Sequence, residues 1–116
     1  MYRERGADTW LPFSSEKIIS SIYITFGGNS GNIRVFPTTI TYADNSTWSV
    51  TLGRDSTNAN VGTLVVFDGY CTVVENRSGA YFTITVEKPA TINNTHVNAG
   101  GTYTGTRGET ITIVFD

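Results

Sequence analysis

Apolar and hydroxylated side chains alternate along most of this chain. The pattern is cleanest in Trp48-Ser49-Val50-Thr51-Leu52, Phe82-Thr83-Ile84-Thr85-Val86 and Ile111-Thr112-Ile113-Val114-Phe115. Residues two apart on a strand share a face, so each run has one side for a core and one rich in hydroxyls. Threonine, with 19 copies, supplies most of the second side. It is β-branched and stiff at χ1, which suits the solvated face of a pleated sheet. Turn signals recur every 8–12 residues or so, the spacing of a sandwich or barrel. The expected fold is all-β: an antiparallel β-sandwich, jelly-roll or Ig-like, of about 7–9 strands.

The first strand is expected over Ile18–Phe26, with Ile22, Ile24 and Phe26 on one face. Gly27–Asn32 reads as a loop tolerant of positive φ, because it lacks the Lys-Ser/Thr of a phosphate-binding loop. Ile33–Phe36 follows, then Pro37 as an edge or bend, then Thr38–Ala43 with Thr47–Leu52 as its hairpin partner. Trp48 falls on the buried face with Val50 and Leu52, which predicts a core tryptophan. Val61–Phe67 and Tyr70–Val74 are the richest apolar runs and are expected to be central strands. Ala80–Glu87 returns from them as a hairpin. Ala90–Val97 is a weak strand, and Thr102–Thr104 is expected to pair with Glu109–Phe115 across Gly105–Gly108.

The first 17 residues differ from this body. They carry four charged side chains before Trp10, then Leu11-Pro12-Phe13, and show no helical period. Residues 1–17 read as an arm anchored by Trp10 and Phe13, lying along the body or reaching a neighbour; an N-terminal strand is the alternative. Residues 18–116 form one sandwich domain, since 116 residues make a single useful core.

Composition narrows the chemistry. A formal net charge of −2 and six dispersed arginines disfavour nucleic acid and acidic lipid surfaces. No apolar run is long enough for a membrane helix, and the N-terminus lacks the apolar core of a secretion signal. The single Cys71 reads as a small buried hydrophobe and the single His96 as a surface residue. One of each is too few for a zinc site, and neither has the neighbours of a nucleophile–base pair. The carboxylates fall in turns (Asp44, Asp55, Asp68) or at strand ends (Glu75, Glu87, Asp116), where solubility alone would place them. Asp55–Asn60 has oxygen ligands without the spacing of a calcium loop. Three Asn-X-Ser/Thr triplets are expected by chance in so Asn- and Thr-rich a chain. The expectation is therefore no catalytic residue, no metal and no cofactor.

The aromatic residues are the remaining candidates for binding. Alternation places Tyr23 and Tyr81 opposite the apolar faces of their strands, and Tyr103 lies near a glycine-rich turn with Arg107. On an open face these three would make a polar-aromatic surface for a sugar or a protein. The charged start, the stretch Thr9-Trp10-Leu11-Pro12-Phe13, the Thr/Asn/Gly-rich body and the apolar last strand together resemble virion structural proteins of tailed bacteriophages, of the tail-fibre, baseplate or capsid-decoration kind. The resemblance implies a non-catalytic β module of the virion, made in the host cytoplasm and extracellular after release. Its partners would be other virion proteins or copies of itself. The competing expectation is a carbohydrate-binding, lectin-like module recognising cell-surface glycans, with two or three coplanar exposed aromatics.

Overall fold

The computed structural model describes residues 17–26, 29–30, 33–55, 61–76, 81–106 and 108–116, with backbone alone at 29–30, 33–35, 53–55, 61–62 and 76. Trp10 and Phe13 lie outside the described residues. Among the described residues eleven strands run in chain order: β1 (Ile19–Thr25), β2 (Asn29–Ser30), β3 (Ile33–Tyr42), β4 (Thr47–Asp55), β5 (Val61–Phe67), β6 (Cys71–Asn76), β7 (Tyr81–Val86), β8 (Ala90–Ile92), β9 (Thr95–Val97), β10 (Thr102–Thr106) and β11 (Thr110–Phe115). The described residues contain no helix, so none long and apolar enough to cross a membrane. Eleven exceeds the expected count because β2, β8 and β9 are only two or three residues each.

The strands form two antiparallel sheets packed as a β-sandwich. The larger runs β4-β3-β1-β11-β8-β9, with β2 pairing the far end of β3 on the side that β1 occupies. The smaller runs β10-β7-β6-β5. The alternation dictates the layers. On β1, Ile19, Ile22 and Ile24 turn inward, and an irregularity in pairing at Ser20 lets Ile19 and Ile22, three apart, share the inner face. Phe26 and Phe36 from the larger sheet close on Phe82 of the smaller. Phe26 stacks on Phe82 with ring centroids 4.2 Å apart, and Phe36 meets Phe82 edge-on at 5.2 Å. All three rings are buried, and together they join the sheets.

Several expectations are corrected by the topology. Pro37 does not divide its segment. It lies inside β3, opposite Thr51, between the residues that pair with β1 (from Thr38) and with β2 (to Arg34). A missing N–H facing that gap breaks no ladder bond. Val61–Phe67 is an edge strand, whereas Cys71–Asn76 is central as expected. The apolar run of Val61–Phe67 instead accompanies a register shift between Thr63 and Val65, which buries the neighbours Leu64 and Val65 together. Ala90–Val97 is not one weak strand but a tight hairpin. Asn93 and Asn94 both hold positive φ, 46° and 68°, as a two-residue turn between twisted strands requires. Thr102–Thr104 does not pair with the last strand: β10 pairs with β7 and β11 with β1 and β8. Gly105 belongs to β10, opposite Phe82, where a Cβ would lie 3.0 Å from the Phe26 ring and 3.3 Å from Ile111. A residue that reads as a turn is there to admit a stacked ring.

Candidate functional site

The outer face of the larger sheet is built by the hydroxyl half of the alternation. From β4 come Thr47, Ser49 and Thr51, all exposed, and from β3 Thr39 and Thr41 with exposed Pro37. Register aligns them in rows: Thr39 sits opposite both Ser49 and Tyr23, and Thr41 opposite Thr47 and Ser21. β11 adds Thr110, Thr112 and Val114, with Thr112 opposite Tyr23 and Val114 opposite Ser21. Some hydroxyls meet across the strands, as Thr39 Oγ1 and Ser49 Oγ do at 3.3 Å. Within these rows stand the two most exposed large apolar side chains among the described strand residues, Tyr23 (49%) and Val114 (48%). They are diagonal neighbours across β1 and β11, within reach of an aromatic side chain.

No carboxylate, ammonium or guanidinium interrupts those rows. Charge gathers at turns and ends. Lys17 Nζ reaches Asp44 at 3.5 Å and donates to Ser46 Oγ at 2.9 Å, beside the Tyr42 ring. The Asp44 carboxylate accepts from the Ser46 hydroxyl and from its backbone N–H, and these bonds, with Lys17, hold its pKa below the usual carboxylate value. His96 lies 3.3 Å from Asp116 at the far edge, exposed as expected. Glu109 accepts from Tyr103, from the Thr106 N–H at 3.0 Å and weakly from Asn93. Burial, and after it the Glu109 hydrogen bond, raise the Tyr103 pKa.

The three tyrosines singled out in the sequence do not share a surface. Tyr23 stands on the outer face of the larger sheet. Tyr81, half-buried, belongs to the outer side of the smaller sheet, opposite Thr106. Tyr103 pairs with Ile84 and so faces inward, packed against the core at the β10 edge. Cys71 is fully buried, and burial, followed by the charge of Glu87, pushes its thiol far above the ordinary range. Glu75 is not a solvated strand end but is buried on the inner face of β6, with Cys71 and Val73. Trp48 faces inward with Val50 and Leu52 as expected, yet only Leu52 of the three is fully buried. Among the described residues, no cluster of His, Cys, Asp or Glu could hold a metal ion. Comparison with known proteins finds no matching family model, curated protein or solved structure.

Proposed function

We propose that this chain is a non-catalytic contact module, a structural component of a tailed-phage type of virion acting as a tail, fibre or capsid-decoration part. The observation that supports the reading is the exposed pair Tyr23 and Val114 set among hydroxyl-lined rows of the larger sheet. Covering the rows from β4 to Tyr23 desolvates no ionised group among the described residues, and the exposed His96–Asp116 pair lies beyond Val114 at the far edge, so most of the usual penalty for buried charge is avoided. Thr and Ser hydroxyls both donate and accept, which lets them re-pair with a partner's polar groups. Tyr23 supplies an amphipathic ring of the kind enriched at interfaces, and Val114 an adjacent apolar anchor, together gaining about 2–4 kcal/mol if fully covered.

The carbohydrate-binding reading draws on the same Tyr23 ring, which can stack on a sugar between Thr39 and Thr112. Among the described residues it gains no further ring from Tyr81 or Tyr103, which lie elsewhere. A glycan array run beside light scattering separates the two. The contact module gives no glycan signal and forms assemblies above the single-chain mass, and the Tyr23→Ser/Val114→Thr chain loses the largest of them. A strict monomer whose glycan binding disappears with Tyr23→Ser overturns the proposal in favour of a lectin.

A further inference from the structure

We infer that β4 is an association edge, and that a second copy of this chain pairs with it antiparallel about a two-fold axis near Val50. The inference rests on the contact-module reading and names its first partner. A sheet edge offers a row of unused backbone donors and acceptors, and stable proteins protect such rows by shortness, bulges, proline or charge. Among the described residues the sandwich has four edges, and three are protected. β9 is three residues long, β10 is five, and β5 carries the register shift between Thr63 and Val65. β4 is different. It runs nine residues and pairs with β3 at nine consecutive positions without irregularity. Its first seven residues, Thr47 to Gly53, hold no charge and no proline. Among the described residues, β3 is its one strand partner.

The inner side of β4 supplies a second argument. Its residues Trp48 and Val50 are half-exposed, whereas their cross-strand partners Ile40 and Thr38 are buried. The second sheet therefore covers β3 more fully than β4, where Val50 keeps part of its apolar surface exposed. A foreign strand would need an apolar inward side and a neutral outward side to match this edge. Copies of β4 meet that need by construction. Pairing centred on Val50 sets Trp48 opposite the copy's Leu52 and Ser49 opposite its Thr51, with no like charges facing. A two-fold contact closes on itself, so the product is a defined dimer with one continuous sheet rather than a fibre.

The test places charge at the exposed outward positions, where the monomer fold should tolerate it. Native mass spectrometry and sedimentation are run on wild type, Ser49→Lys/Thr51→Lys, Ser49→Glu/Thr51→Glu and an equal mixture of the two variants. The expected result is a wild-type dimer, at least a tenfold weaker dimer for each variant alone, unchanged thermal melting of the monomers, and recovery of a mixed dimer when Lys faces Glu. An assembly of unchanged affinity in both variants overturns edge pairing and leaves the contact-module reading standing. A wild-type chain that stays monomeric at all concentrations overturns edge pairing too, and if it also binds glycans through Tyr23 the broader reading falls with it.

Discussion

Tyr103 donates its phenolic hydrogen to Oε1 of Glu109 over 2.9 Å, while Oε2 of the same carboxylate accepts the Thr106 N–H. The three residues lie on either side of the corner where the chain leaves the smaller sheet and enters the larger. One carboxylate thereby ties the two sides of that corner together. Glu109→Ala should destabilise the fold by about 1–2 kcal/mol, the range for hydrogen bonds to a charged group discounted for partial exposure. Denaturant melts at neutral pH measure it, and Glu109→Gln should recover part of the loss.

The same contact has an alkaline signature. The folded state raises the Tyr103 pKa above its ordinary 10.0, chiefly by burial and then by the Glu109 bond. A raised pKa means the neutral phenol is favoured in the folded chain. The resulting stabilisation is full below pH 10 or so and is lost as pH rises through the folded value. Wild type should therefore lose stability faster than Tyr103→Phe above about pH 10. Parallel alkaline slopes for the two proteins would contradict this.

Asp44 works in the opposite sense. Ser46 and Lys17 hold its carboxyl below the model-peptide value of 3.8, so its contribution is present above that value and fades as pH falls through the folded pKa. Asp44→Asn should be the less stable protein at neutral pH, and the two melting curves should converge in acid. The loss should also shrink with added salt, because the group is fully exposed.

The Phe26–Phe82 stack sets the ranking of core substitutions. Phe82→Ala removes a fully buried ring that touches both Phe26 and Phe36, and should cost about 3–5 kcal/mol. Trp48→Ala should cost less despite the larger side chain, because Trp48 is only half-buried on an edge strand. Gly105→Ala drives a methyl to 3.0 Å from the Phe26 ring and should cost about 1–3 kcal/mol by overpacking. Combining it with Phe26→Leu should cost less than the sum of the single changes, since the two sites touch.

How much of this was legible in the sequence follows from what alternation encodes. The rhythm of two assigns each side chain a face within its own strand, so the burial of Ile22, Ile24 and Phe26 and the exposure of Tyr23 could be read directly. It also held a signal that was passed over: Glu75 is two residues from Val73 and four from Cys71, hence on their buried face. Alternation does not say which sheet a strand joins. Hence alternation does not separate Tyr81 and Tyr103 from Tyr23, and it does not distinguish β7 from β11 as the partner of β10. Bulges defeat it as well, since the shift before Val65 made an edge strand look central. The Asn93-Asn94 turn had a recognisable signature in its residue types, overshadowed by the short strands beside it. Trp10 and Phe13 lie outside the described residues.

The account stands most directly on the solution mass of the intact chain measured by sedimentation across a wide concentration range. A reversible shift from one chain to two, with larger species sensitive to Tyr23 and Val114, is the predicted behaviour of a protein that works by contact. A single-chain mass throughout, accompanied by saturable glycan binding, would contradict it.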